Sequence, residues 1–469
     1  MNAAARAGEK PLGRIVVISD VHVGGGELDD FTAELQEHLV RFLSELSVLT
    51  EPVELVINGD FFDFATAEPW DDAQLESQTA DGMPLCFTEA QSCQKLEMII
   101  RGHQAIFDAL ARFLVSGPRR QVTMLPGNHD ADLFWPKVRQ RVAECLAKSW
   151  PICDPAVPDG FRFLLERQYV IQRAGIRYWI EHGHQHDLPN SFFPGGQERW
   201  SAAAPPIFKD VKGQERLYEC PGTMGLVRHI NHWRTKYHSI SYLKPYSRVL
   251  WALIKYRAFK EPGRPLMVLK HLGAMLGWQV DWKTALSSEN DLQRTMHMLL
   301  QQLAGNLSAE EERQLVDYLG ERGIHVKSSL QSYASTESRR NRIFEGIASD
   351  QRYAGNDRSI DTGRHTLNFI GGGLIDVENR ALLNAAKRLL DSDMADYVLT
   401  GHTHVPATKL NGRYLNGGCW IANQEVNTLS DANMIIFERG PVAYKLTYIE
   451  IGASGVPECK VFGSGHIDV

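Results

Sequence analysis

Short apolar runs rich in Val and Ile punctuate this chain at Arg14–Ser19, Val53–Asn58, Gln121–Pro126, Ile176–Glu181 and Asp396–Thr400. Runs of this length suit buried strands. Helices are predicted between them over Phe31–Ser47, Glu89–Val115 and Trp135–Lys148. Phe161–Leu165, Tyr169–Arg173 and Arg177–Ile180 read as a strand meander. The β-α-β rhythm of residues 13–187 implies a parallel or mixed sheet covered by helices.

The texture changes from about Leu188 to Arg364. Punctuation at Pro194-Gly195-Gly196 and Pro205-Pro206 leads into a basic aromatic stretch, then into polar helical sequence. Ser308-Ala309-Glu310-Glu311 is a capping-box pattern that opens a helix through Leu319, and Ser328 to Arg342 reads as a loop or a weakly packed helix. The α/β texture returns near His365, with a helix over Asn379–Leu390 and strands at Arg413–Leu415, Asn433–Phe437 and Val442–Ile449. The simplest parse is one α/β domain formed by residues 1–187 and 365–469, interrupted by a mainly helical insertion over 188–364.

Each of the five apolar runs is followed at once by a polar cluster. These are Asp20-Val21-His22, Gly59-Asp60-Phe61-Phe62-Asp63, Gly127-Asn128-His129-Asp130, His182-Gly183-His184 and Gly401-His402-Thr403-His404. In an open α/β sheet, ligands bind beyond the carboxyl ends of the strands. Loops on one edge therefore converge on one site. Asp20 and His22 are two apart, so at a strand end they point the same way and can share an ion, as can His402 and His404. The two oxygens of Asp60 can bridge two cations, Asn128 offers a neutral oxygen and His182 an imidazole.

The donors are nitrogen and oxygen, with no cysteine close to any cluster. That suits two divalent first-row ions, Mn, Fe or Zn foremost. Two such ions about 3.5–4 Å apart hold a hydroxide and clamp a phosphoryl group for in-line attack. His129 is placed to protonate the leaving oxygen as a general acid, and Asp130 or Asp63 to orient an imidazole. Gly24-Gly25-Gly26 and Gly371-Gly372-Gly373 lack a phosphate-loop frame and read as turns.

The ordered motifs D-x-H, G-D-x-x-D, G-N-H-D, H-G-x and G-H-x-H resemble the calcineurin-like metallophosphoesterase superfamily over about residues 13–187 and 365–450. The resemblance implies a four-layer α/β/β/α sandwich with a binuclear centre. It implies Asp20, His22, Asp60 and His404 around the first metal, Asp60 bridging, and Asn128, His182 and His402 completing the second. His129 becomes the catalytic histidine, with Asp130 beside it. His182 follows its strand directly and aligns with the H-G-x element, and His184 is the alternative ligand. The implied reaction is hydrolysis of a phosphomonoester, phosphodiester or pyrophosphate by metal-bound hydroxide.

Within the superfamily, His402-Thr403-His404-Val405-Pro406 followed by Tyr414–Trp420 is similar to the UDP-diacylglucosamine pyrophosphatases, as is an insertion directly after the fourth motif. Those enzymes carry Arg where this chain has His129, and their chains are much shorter. A membrane-associated UDP-sugar-lipid pyrophosphatase is therefore the alternative. A scaffold that has lost its chemistry is a second, although every expected ligand is present.

The rest of the composition bears on partners. The formal net charge of −7 makes the whole chain no general polyanion binder. Residues 228–270 are the exception, with Arg228, Arg234, Lys236, Lys244 and Arg248 among their cations, Trp233, Tyr237 and Trp251 among their rings, and one acid, Glu261. Val249–Phe259 can form an amphipathic helix with a basic flank. Contact with an anionic membrane surface, contact with single-stranded nucleic acid, and a helical cap packed on the core all fit that composition. Met1 to Lys10 lacks the apolar segment of a secretory signal, and no apolar stretch is long enough to span a bilayer. Seven scattered cysteines without a C-x-x-C pair fit a reducing compartment. These features lead to the expectation of a cytoplasmic protein, with peripheral membrane contact as an option.

Overall fold

The computed structural model describes residues 13–70, 87–117, 119–148, 160–187, most of 190–244, 374–425, 435 and 441–468. Strands and helices first alternate as β1 (Arg14–Ile18), α1 (Ala33–Ser47), β2 (Val53–Asn58), α2 (Glu89–Val115), β3 (Arg120–Leu125), α3 (Pro136–Lys148) and β4 (Phe161–Phe163). A hairpin of β5 (Tyr169–Arg173) and β6 (Ile176–Ile180) follows. Next come the short pieces β7 (Ile207–Lys209), β8 (Glu215–Leu217), α4 (Asn231–Arg234) and β9 (Leu243–Lys244). The last part runs α5 (Leu374–Asp391), β10 (Tyr397–Thr400), β11 (Ala407–Lys409), β12 (Tyr414–Asn416), β13 (Gln424–Glu425), β14 (Val442–Ile451) and β15 (Pro457–Ile467).

Two mixed sheets carry the fold. The first has the order β15-β14-β1-β2-β3-β4, with β1 to β4 parallel and β14 antiparallel to β1. The second has the order β11-β12-β10-β6-β5, with β6, β10 and β12 parallel. Strand alternation divides the side chains of the first sheet between two apolar layers. Val16, Ile18, Leu55, Ile57 and Val122 face Leu35, Leu39 and Phe42 of α1 and Leu96, Ile99 and Phe107 of α2. Ile15, Val17, Val56 and Leu125 face the other way and meet Tyr178, Ile180, Leu399 and Leu415 of the second sheet. Leu382, Ala386 and Leu390 of α5 then cover Val398 and Tyr414. Three apolar interfaces thus separate four layers, α/β/β/α, and each fully buried Leu or Phe contributes roughly 1.5–3 kcal/mol.

Local chemistry sets the helix starts. Phe31, expected inside the first helix, packs in the core instead, and Thr32 caps α1 by accepting the Leu35 N–H. Thr88 and Gln91 form a reciprocal capping box on α2. α5 begins at Leu374, ahead of the Asn379 expected.

Phe161–Leu165 does not continue into a meander with the next two strands. β4 joins the first sheet beside β3, whereas β5 and β6 belong to the second. β15 has no counterpart among the expected strands: Gly463 and Gly465 interrupt its apolar pattern. They lie opposite Leu446 and Tyr444, and a Cβ at Gly465 would fall 2.6 Å from the Tyr444 hydroxyl. Of Asn433–Phe437, expected as a strand, only Ile435 is described, and it is helical and buried. Most of the expected helical insertion, including Ser308–Leu319, Val249–Phe259 and the basic stretch beyond Lys244, lies outside the described residues. The described part packs Phe192, Trp200, Leu217, Ile240 and Tyr242 into the core that α1 and α2 share. No described helix is long and apolar enough to cross a membrane.

Candidate metal centre

All five motif loops leave the carboxyl ends of strands, namely β1, β2, β3, β6 and β10, and they converge at one end of the two sheets. Backbone hydrogen bonds stitch them together. Val21 and His22 N–H both donate to the Asp60 carbonyl at 2.9 Å, Asp63 N–H to Val23 at 2.9 Å, and Phe64 N–H to His129 at 3.1 Å. Gly401 N–H donates to His182 at 2.9 Å and Trp420 N–H to Asp20 at 2.9 Å. The His402 N–H reaches Asp20 Oδ2 at 2.9 Å.

Strand alternation is not what brings Asp20 and His22 together, because β1 ends at Ile18. Asp20, His22, Asp60, His402 and His404 instead have positive φ, between 51° and 71°. Such a backbone costs about 1–2 kcal/mol for a residue with a Cβ. The stitched loops hold it, and both side chains of each H/D-x-H pair turn toward the site. Gly59 and Gly127 are needed for close approach. Gly59 has φ +79° and its Cβ would lie 2.5 Å from the His182 ring, while a Cβ at Gly127 would lie 2.1 Å from Asp60 Oδ1.

The donors form two groups, Asp20, His22 and His404 in one and Asp60, His182 and His402 in the other, with His22, Asp63 and His129 clustered beside them. In the first, His404 Nε2 is 3.4 Å from Asp20 Oδ1 and 3.1 Å from His22 Nε2. In the second, Asp60, His182 and His402 place ligand atoms within 4.8 Å of one another. Asp60 Oδ2 faces both groups, 3.1 Å from His182 Nε2 and 3.8 Å from His22 Nε2. Its other oxygen accepts the His129 N–H at 2.8 Å. Asn128 Oδ1 is buried without a hydrogen-bond partner. An unsatisfied buried acceptor costs about 1–3 kcal/mol, so this oxygen fits a bound cation. Two imidazole nitrogens facing each other beside a carboxylate fit one equally well.

Outer contacts fix the rings. His182 Nδ1 donates to the Asn58 carbonyl at 2.9 Å, which turns Nε2 toward Asp60. His184 instead stacks on Trp200, centroids 5.8 Å apart and planes at 10°, and His186 Nε2 pairs with Glu181 at 2.8 Å. Of the three histidines in the fourth motif, His182 is thus the one in the ligand group. His402 Nε2 lies 3.1 Å from Asp187 Oδ2. Asp63 receives His22 Nδ1 at 3.3 Å and His129 Nδ1 at 3.0 Å. Of the two carboxylates considered for the histidine-orienting role, Asp63 therefore touches His129. The Asp130 carboxylate accepts backbone N–H groups of Gly127 at 2.6 Å and Phe61 at 2.8 Å, bracing the second and third loops.

Electrostatics follow the contacts. Burial disfavours charge on His182, but Asp60 and Asp20 outweigh it and raise its pKa to about 10. Burial likewise opposes charge on His129, and Asp63 and Asp60 raise it to about 9. Asp60 resists its burial because His182, His129 and His22 hold it well below the usual carboxylate range. His402 goes the other way: burial lowers its pKa despite Asp187.

A family model described as calcineurin-like phosphoesterase matches residues 13–249. The chain belongs to the calcineurin-like phosphoesterase family. No curated protein matches it. The family match covers the first four motifs, and the structure adds the fifth, His402 and His404, to the same site. Membership and the ligand groups together support a metal-dependent phosphoesterase, a hydrolase of phosphate esters. Asp187, Asn58 and Trp200 are parts of this phosphoesterase site that sequence reasoning missed. Asp187 ends the run His182 to Asp187, yet nothing in its spacing assigns it to His402.

Proposed function

We propose that the chain hydrolyses a phosphomonoester, phosphodiester or pyrophosphate with two divalent cations, Mn, Fe or Zn, and with His129 assisting the leaving group. The observation that carries this reading is the Asp60 carboxylate. One of its oxygens faces His22 and His182 at once, which is the place of a ligand shared by two ions. Asp20, His22 and His404 would hold one ion with Asp60, and Asn128, His182 and His402 the other. Bound there, the ions supply Lewis acidity to phosphoryl oxygens and acidify the attacking water.

The chain's own groups do the rest. Asp63 accepts the Nδ1–H of His129 and favours its charged form, so the remaining nitrogen has a proton for the departing oxygen. Asp60 holds the His129 backbone N–H, which keeps that imidazole beside the shared ligand. The donors on the other face, His182 and His402, are oriented by Asn58 and Asp187.

A substrate panel tests this reading. It covers nucleotides, cyclic nucleotides, nucleic acids, UDP-sugars and lipid phosphates, with Mn, Fe and Zn supplied separately. Metal-dependent hydrolysis of one class, abolished by a chelator, is the expected result. Two bound metals with no hydrolysis anywhere on the panel would instead indicate a scaffold. The lipid pyrophosphatase alternative rests on Tyr414–Trp420 and on the basic residues 228–270. It requires turnover of a UDP-sugar lipid and co-sedimentation with anionic vesicles at low salt.

A further inference from the structure

Arg234 carries a guanidinium that is 1% exposed. It donates to the Leu28 carbonyl at 2.6 Å and to Asn231 Oδ1 at 3.2 Å, and it pairs with Asp30. The other Asp30 oxygen accepts Ser241 O–H at 2.9 Å, and the Asp30 carbonyl accepts Tyr242 O–H at 3.2 Å. One short stretch of chain thus grips the loop that follows the first motif.

The same stretch grips the loop after the second motif. Asn231 Nδ2 donates to the Ala65 carbonyl at 2.7 Å and also contacts Glu68. Ala65 sits in the turn that fixes Asp63, where Thr66 N–H reaches Asp63 Oδ1 at 3.2 Å and Thr66 O–H reaches the Asp63 carbonyl at 3.1 Å. Beyond Tyr242, β9 pairs with β13, and Asn423 just before β13 donates to the His404 carbonyl at 3.0 Å. Asn231 and Arg234 therefore hold the loops after the first two motifs, and Leu243–Lys244 reaches the fifth indirectly, through β13 and Asn423. Both polar anchors, Asn231 and Arg234, are buried on the route to Asp63, which holds His22 and His129.

We propose that Arg234 is a positioning residue of this site: with Asn231 it clamps the loops after the first two motifs and so holds Asp63 where it orients His129. Burial works against the Arg234 cation, and Asp30 and then Asp63 keep it charged, so its charge also bears on Asp63. The clamp rests on the reading of His129 as the proton donor.

The test is Arg234→Gln, with alkyl and p-nitrophenyl mono- and diesters of phosphate as probes at saturating metal. An alkyl leaving group needs the proton, and a nitrophenyl group barely does. The clamp predicts a roughly ten- to hundredfold fall in kcat on the alkyl ester, the range for losing an outer-shell partner. KM, the two-ion content and nitrophenyl turnover should stay near wild type. In 15N-histidine spectra of the metal-free protein, the His129 Nδ1–H signal, assigned by its loss in His129→Gln, should shift. Wild-type alkyl turnover with an unchanged signal would overturn the proposal. So would an equal fall on both esters accompanied by loss of metal, which is the mark of a general structural role.

Arg234→Gln leaves Asp30 buried and unpaired, which can cost the fold. Asp30→Asn combined with Arg234→Gln leaves no uncompensated charge and takes the same measurements. Should wild type hydrolyse none of these esters, the substrate panel decides the reading of function, and the His129 signal alone decides the clamp.

Discussion

The two halves of the metal site each pair two imidazoles with an oxygen donor and are held in opposite ways. The His22 and His404 half is open at its edge. The side chains of His404 and His129 are 10% and 16% exposed, whereas His182 and His402 are 1% and 5% exposed. His182 is fixed by a backbone carbonyl and His402 by the buried Asp187, with the His184–Trp200 stack alongside. In the open half, one carboxylate, Asp63, holds both a ligand, His22, and the proposed acid, His129. One half is an anchor, and in the other that single carboxylate, touching both the candidate ligand and the proposed acid, would under the proposed function couple metal binding to proton delivery.

Asp60 joins the halves, so its loss has the largest expected effect. Asp60→Asn keeps the side-chain size, and Asn tolerates the positive φ of 51° at this position better than Ala does. Both ions should be lost or weakened together, and turnover should fall by more than the roughly 10–100-fold typical of an outer-shell partner. Elemental analysis alongside kinetics reads this. Two retained ions with full turnover would show that Asp60 does not bridge.

His129→Ala separates the halves. The contact from position 129 to Asp60 is made by the backbone N–H and survives the substitution. Metal content should hold while turnover of an unactivated ester drops roughly 10²–10⁴-fold. An unchanged rate on that ester refutes the acid role.

Asp63→Asn should cost less, about 10–100-fold in turnover. It weakens the orientation of His129 and His22 together, so a modest loss at the first ion accompanies the kinetic loss. Ion-by-ion titration with kcat on an alkyl ester checks both. A kinetic loss with no change at the first ion would mean that His22 does not depend on Asp63.

The ligands of both halves were legible in the sequence, because all five clusters stand directly after apolar runs and D-x-H and H-x-H spacing marks two of the pairs. The order of the layers was legible too, because Val16 and Val17 face opposite cores as strand alternation requires. The partners were legible only as types. Asp63 and Asp130 are both acids close to His129, and only loop geometry shows that Asp130 is committed to the Gly127 and Phe61 amides. The left-handed backbone of Asp20, His22, Asp60, His402 and His404 leaves no trace in composition, since it is imposed by hydrogen bonds between separate loops. Arg234 read as one cation in a basic stretch, although its charge is spent on Asp30 inside the protein.

The anchor half should respond least to loss of an outer partner, and Asp187→Asn measures how little. The amide oxygen of that variant would still accept a hydrogen bond from His402, so the ring keeps its orientation and loses only the carboxylate's charge. The second-ion affinity should fall about tenfold, the lower end for such partners, with the first ion and His129 untouched. The proton count sharpens the test. With its pKa raised to about 10, His182 carries a proton in the metal-free protein near neutral pH, whereas His402, pushed down by burial, does not. Filling the second position should release about one proton, and its affinity should rise with pH toward the His182 pKa. Calorimetry in buffers of different ionisation enthalpy counts that proton. A release near one in both wild type and Asp187→Asn would keep His182 as the proton source. A release that drops in the variant would move that proton to the His402–Asp187 pair and make the anchor half as responsive as the open one.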